Sequence, residues 1–269
     1  MLQSLPFPPT TNHLPSLRIA HIYPDQMNIY GDRGNILTLV QRCRWRGIVV
    51  EVVAVQPGAA ADWASFDLAF FGGGQDSGQG LIAQDFVERQ GPGLRAAAAD
   101  GLVLLTICGG YQMLGHYFLT FTGEQLPGIG LLDVHTVGGT KRLIGNLVVS
   151  GQWSLGGEHD HQPPTNTLVG FENHSGRTYL GPEVKPLGRV MRGYGNNGED
   201  GTEGAVWRNV HGCYLHGSVL PKNPHFADHL LTLALRRRLP GATLPPLDDT
   251  LEWTAHRTMV ERLTGSEQR

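Results

Sequence analysis

Between Leu17 and Leu114, short apolar or β-branched runs alternate with stretches of helical periodicity, and this alternation limits the possible folds more than any other feature. "LRIAHIY", from Leu17, reads as a first strand. "GDRGNILTLVQRCRWRG" follows as a helix: Ile36, Leu39, Val40 and Cys43 share one face at helical spacing, and Gly47 ends it. "IVVEVVAV" and "FDLAFFGGG" read as strands, the second running into three glycines. A helical stretch then covers Gln79 to Asp100, "GLVLLTI" is a buried strand, and "CGGYQMLGHYF" opens another helix. Strands separated by helices pair in parallel, with helices covering both faces of the sheet. The expected fold class is therefore α/β, an open, mainly parallel sheet flanked by helices.

After Gly123 the pattern turns strand-rich, in "TKRLIGNLVVS", "TLVGFENHSG", "LGRVMRGYG" and "EGAVWRNVHGCYLHG". "GYGNNGEDGTEG" reads as a turn-rich surface loop. A helix over Pro224–Arg238, a proline-rich linker and an amphipathic segment over Leu251–Leu263 complete the chain. The division expected is a disordered tail over 1–16, one domain over 17–240, and a linker with a C-terminal helix over 241–269. That helix docks on the domain or on a partner. The formal net charge is −3 and no long basic block occurs, so a general nucleic-acid surface is not indicated. The densest basic spot, "ALRRRLP", reads as the charged end of a helix. Three cysteines, an odd and low count, argue against a disulfide scaffold and for a reducing compartment. No apolar run reaches transmembrane length and the start lacks the features of a signal peptide, so the expected localisation is cytoplasmic.

Cys43 reads as a small core residue on its helix face. Cys108 is different, because it ends a buried strand and precedes a helix. In open α/β sheets, ligands bind in the crevice beyond the carboxyl ends of the strands. A thiol at a helix N-terminus there is biased toward the thiolate, the form that attacks carbonyls. Gly109 and Gly110 permit the sharp elbow that exposes a nucleophile. The Gly109 N–H would point toward a developing oxyanion, and the "GGGQD" loop could add a second donor from Gly73 or Gly74. The Cys-Gly-Gly spacing alone fits a core cysteine beside a structural turn equally well.

A nucleophilic cysteine needs a base, and the chain has twelve histidines. His216, in "GCYLHGSVLPKNP", follows a late strand and can lie over the same crevice. His21 falls within the first strand as a core residue, and His174, in "FENHSGRTY", is the serious competitor. His159 and His161, in "GGEHDHQPP", sit near acids but read as a polar loop without further tetrahedral ligands, so no metal site is expected. Cys213, three residues from His216, points the other way on an alternating strand and reads as packing.

The stretches "YPDQMNIYGDRGNI", "FFGGGQD", "LTICGGYQMLG", "TKRLIGN", "GFENHSGRTY", "GYGNN" and "YLHGSVLPKNP" together resemble the class I glutamine amidotransferases, whose architecture is flavodoxin-like. The resemblance lies in the branch related to the cobyric acid synthases, and within it to the glutaminase subunits of lipid II isoglutaminyl synthases. It implies that Cys108 attacks the side-chain amide of L-glutamine, that His216 activates the thiol and protonates ammonia, and that Arg142 binds the substrate carboxylate. It also implies a MurT-like Mur ligase partner, which holds ATP and Mg while this chain carries no cofactor. Typical class I enzymes place an acid two residues after the catalytic histidine, where this chain has Ser218. The resemblance implies that the partner supplies the missing acid, so that the chain alone is a weak glutaminase. Asp25, Asp32 and Asp76 are the in-chain alternatives, with Asp32 and Arg33 read first as helix-capping and pairing residues. The rival readings are a cobyrinate-type amidotransferase, a cysteine hydrolase or peptidase, and a non-catalytic module on the same fold. "FFGGGQDSGQG" lacks the Gly-Lys-Ser/Thr ending of a phosphate loop, which leaves ATP to the partner.

Overall fold

The computed structural model describes residues 16–29, 31–151 and 166–265. The tail expected over 1–16 lies outside the described residues except for Ser16, and so do His159 and His161. The first half of the chain follows the alternation read above: β1 (Ser16–Ile22), α1 (Arg33–Trp45), β2 (Val49–Val55), β3 (Leu68–Phe71), α2 (Asp76–Asp85), α3 (Gly91–Ala99), β4 (Val103–Ile107) and α4 (Gly109–Leu114). The single helix expected over Gln79–Asp100 is broken into α2 and α3 by a π-helical turn, Phe86–Gln90. Pro92, in the first turn of α3, has no N–H and cannot continue an α-helical ladder.

Seven strands come next: β5 (Tyr117–Leu119), β6 (Gln125–Pro127), β7 (Val134–Gly151), β8 (Thr167–Leu180), β9 (Gly188–Arg192), β10 (Thr202–Glu203) and β11 (Ala205–Trp207). They are followed by β12 (Val210–Cys213), α5 (Pro224–Arg238) and α6 (Thr250–Thr264). The main sheet runs β2-β1-β3-β4-β12-β11 and is parallel except for the β11–β12 hairpin. β1, β3, β4 and β12 are buried runs of mostly apolar residues, as strands covered on both faces must be. Their registers bring the carboxyl ends to one edge: Ile22 pairs with Phe71, Phe71 with Thr106, and Ile107 with Cys213. The order reverses beside β1, so the crevice between the loops after β1 and β3 is the expected ligand position.

The strand-rich part forms a second, mostly antiparallel sheet built on the long β7–β8 pair. The turn-rich loop over Tyr194–Gly204 is exposed at Gly198–Gly201, as expected, but its base is anchored in the interior. Asn196 and Asn197 are buried, and Asn196 donates to the Gly204 carbonyl at 3.0 Å. Buried side-chain amides replace water for its backbone groups. The basic end of α5 is structural: Arg238 pairs with the buried Asp67 and Arg237 with Asp100, beneath the sheet. α6 packs on the domain, burying Trp253 and His256. The His256 Nδ1–H donates to the Lys222 carbonyl and its Nε2 accepts from the Thr167 hydroxyl, each at 2.9 Å. No described helix is long and apolar enough to cross a membrane.

Candidate active site

Cys108 stands between β4 and α4 with φ +49° and ψ −105°, a backbone conformation that a residue with a Cβ avoids. Local contacts enforce it. The Cys108 N–H donates to the Cys213 carbonyl at 2.8 Å, and its own carbonyl accepts from Gln112 at 2.9 Å. Gly110 can lie flat against β3 only without a side chain, since a Cβ there would sit 2.6 Å from the Phe71 carbonyl oxygen. The elbow read from the glycines is thus present, and Cys108 is 6% exposed. Cys43 and Cys213 are fully buried, and burial pushes both thiols well above the usual range.

His216 follows β12 and is clamped by β8: its N–H donates to Phe171 at 2.7 Å, and the Phe171 N–H returns a bond at 3.2 Å. Its imidazole is fully buried, with Nδ1 3.4 Å from Oδ1 of Asp32, which is itself fully buried. Burial alone would lower the pKa of His216. The charge and hydrogen bond of Cys108, with the Asp32 carboxylate, outweigh it and hold the imidazole well above its ordinary value. Cys108, His216 and Asp32 therefore form one electrostatic unit, the imidazole interacting with both the sulfur and the carboxylate.

Of the in-chain alternatives for the third group, Asp32 is the one that faces His216. Asp32 is positioned at the start of α1 but makes no side-chain capping bond. Its Oδ2 instead accepts the Gly73 N–H at 2.7 Å, and Oδ1 faces His216. The acid expected from a partner has a counterpart inside the chain. The same bond occupies the Gly73 N–H, one of the two donors expected from this loop. Gly73 has a different reason to be glycine: a Cβ there would lie 2.7 Å from Cε1 of His216. The Gly74 nitrogen lies close to Gly109, 3.0 Å from where a Cβ of that residue would be. The N–H of Gly109, first residue of α4, has no intrahelical acceptor by geometry. Asp25 accepts from Gln56 at an exposed position, away from this cluster, and the Asp76 side chain lies outside the described residues.

Behind the elbow runs a buried hydrogen-bond chain that sequence reasoning missed. Gln79 donates to Gln112 at 3.0 Å, Gln112 donates to the Tyr214 hydroxyl at 3.0 Å, and Tyr214 and Thr178 share a bond of 2.6 Å. His174 is part of this wall: its ring stacks on Tyr214 with centroids 3.6 Å apart, and Nδ1 lies 2.8 Å from the Gly176 carbonyl. Burial pushes its pKa down, so it stays neutral. Arg142 lies on the irregular part of the β7–β8 pair, where Nε donates to Oδ1 of Asn173 at 2.9 Å and Nη2 to the Asn173 carbonyl at 3.0 Å. The guanidinium is exposed, and these bonds tie it from β7 to β8, the strand that carries His174 and Gly176.

Residues 18–224 match the family model of the CobB/CobQ-like glutamine amidotransferase domain. The chain belongs to the CobB/CobQ-like glutamine amidotransferases. Among curated members, it is 40% identical over 248 residues to the lipid II isoglutaminyl synthase (glutamine-hydrolyzing) subunit GatD of Staphylococcus aureus, covering 91% of this chain and 96% of that one. The GatD subunit of Streptococcus pneumoniae is 39% identical, with 89% of each chain covered. A probable cobyric acid synthase from Methanothermobacter thermautotrophicus is 38% identical over 58% of this chain but only 31% of its own length. The fold of this amidotransferase is also similar to the PurLQS structure from Thermotoga maritima, with TM-score 0.55 and 16% identity over 84% of this chain and 99% of that one.

Proposed function

We propose that this amidotransferase is the glutaminase subunit of a two-component ligase that amidates the D-glutamate of the lipid II stem peptide. The observation that carries the chemistry is the strained elbow at Cys108, facing the buried His216–Asp32 pair. Cys108 attacks the side-chain amide carbon of L-glutamine, forming a tetrahedral intermediate whose oxyanion meets the N–H groups of Gly74 and Gly109. Imidazolium His216 gives its proton to the departing ammonia. Neutral His216 then takes a proton from water, which attacks the thioester; the thiolate leaves with glutamate released, and the imidazolium is restored. Asp32 holds the tautomer with Nδ1–H toward itself and stabilises the charged ring. Arg142, with a guanidinium suited to bidentate recognition, holds the substrate α-carboxylate.

End-to-end similarity to two GatD subunits, against partial similarity to cobyric acid synthases, supports the lipid II reading over the cobyrinate one. In this reading ammonia passes to a MurT-like Mur ligase, which binds ATP and Mg and activates the carboxylate to be amidated. With Asp32 in place, the chain alone is expected to hydrolyse glutamine. The test is ammonia release by the purified chain with and without the ligase, and by Cys108→Ala, together with glutamine-dependent amidation of lipid II by the pair. Ammonia release that survives Cys108→Ala removes the assigned nucleophile. A pair that turns over glutamine yet leaves lipid II unamidated removes the assigned acceptor. Turnover seen only with the ligase returns the third acid to the partner.

A further inference from the structure

We propose that Ser218 is a positioning residue, a clasp that holds the Asp32 loop onto the His216 loop. The inference rests on the glutaminase reading for its kinetic consequence, though not for its geometry. Ser218 has φ +48°, so its backbone is strained in the same sense as that of Cys108. A glycine would adopt this conformation freely. What serine adds is a hydroxyl, which donates to the Gly31 carbonyl at 2.5 Å, 187 positions earlier in the chain. Gly31, at φ +80°, is the residue before Asp32. Gly34 is shaped to this contact, because a Cβ there would lie 2.1 Å from the Ser218 hydroxyl oxygen.

A second tie crosses the same seam: the Leu220 N–H donates to Oδ1 of Asn35 at 3.0 Å. The stitches flank the long Asp32–His216 contact of 3.4 Å, which has little holding power of its own. The groups whose charges bear on His216 are Asp32 before α1, Cys108 after β4 and Glu203 on β10. Only Asp32 sits on a loop that this clasp holds. Where a side chain two residues past the histidine could have been the acid itself, here it fixes the acid that another loop provides.

The experiment compares Ser218→Gly with Ser218→Ala in the full chain. Glycine removes both the hydroxyl and the strain, whereas alanine removes the hydroxyl and keeps the strain. Three quantities are read: kcat for ammonia release, the rate of Cys108 alkylation by iodoacetamide across pH with Cys108→Ala as blank, and the melting temperature. The expected result is that both variants lose kcat by about five- to tenfold, the scale of one lost hydrogen bond. KM should change little. Both should alkylate more slowly at neutral pH, and the alkaline limb of kcat should move to lower pH as Asp32 loosens. Ser218→Gly should melt no lower than Ser218→Ala, separating the rate effect from stability. The proposal is overturned if both variants keep wild-type kcat and alkylation profiles, or if only Ser218→Ala is impaired, which would make strain the cause. A wild-type chain that releases no ammonia would sink the glutaminase reading, while the alkylation profiles would still decide on the clasp.

Discussion

Replacing Asp32 with asparagine keeps the shape of the side chain and removes its charge. The amide oxygen can still accept the Gly73 N–H, but the amide nitrogen then faces Nδ1 of His216 and favours the wrong tautomer. Asp32→Asn is expected to lower kcat for glutamine hydrolysis by about 100-fold or more, with far less effect on KM. A kcat within twofold of wild type would remove Asp32 from the mechanism. Gly73→Ala tests the opposite side of the imidazole. The Gly73 backbone suits any residue, but a methyl group would press on Cε1 of His216 at 2.7 Å and on Oδ2 of Asp32 at 3.1 Å. This variant should fold and lose most of its turnover, measurable as a circular dichroism spectrum like wild type with a reduced rate. At this scale, Cys108 and His216 were legible because each follows a strand that reads clearly, beside glycines with a steric purpose. Asp32 was not, since an aspartate before a helix has an ordinary role as a cap, and its meeting with His216 spans 184 positions.

Among the elements, the parallel sheet was legible because buried strands of this type leave unbroken apolar runs. The second sheet was harder to see. β7 and β8 alternate buried and half-exposed residues over much of their length, which announces strands but not their partners. The docking of α6 was left open for a similar reason: one buried tryptophan and one buried histidine make a thin apolar stripe. Its approach is fixed instead by Asp249, immediately before the helix, which takes two bonds from the buried Arg42 at 2.6 and 2.8 Å. Arg42 also pairs with Asp228 of α5, so one guanidinium joins α1, α5 and the start of α6. Asp249→Ala would leave Arg42 buried with half of its partners. The expected loss is about 2 kcal/mol of unfolding free energy in urea titration, with glutamine turnover nearly unchanged. An unaltered urea midpoint would show that α6 is held without the Asp249–Arg42 pair, by Trp253 packing and the His256 bonds.

Acid stability is a property of the whole molecule, because its histidines are distributed between the site and the core. His211, His225 and His229 lie where α5 packs on the main sheet and on α6, with rings against Phe226 and Trp253. Burial pushes all three down, His211 and His225 to about 3 and His229 to about 4, so they are neutral in the fold. The unfolded chain binds a proton on each near pH 6.5, and therefore holds more protons than the native state below that value. Stability contributed by these groups is complete above pH 6.5 and falls as pH drops toward 4, by up to about 1.4 kcal/mol per pH unit for each group. His216 acts with the opposite sign: its raised pKa adds stability that is complete below pH 6.5 and fades as pH rises through the higher folded value. His21, His174 and His256 are pushed down by burial as well, so six depressed histidines stand against one raised among the described residues, which predicts a urea midpoint that declines steeply between pH 6.5 and 4. The decline should survive Cys108→Ala, which weakens the unit at the site but leaves the α5 packing intact. A midpoint that stays flat from pH 7 to 5 would mean that these histidines titrate normally, and that the α5 interface admits water.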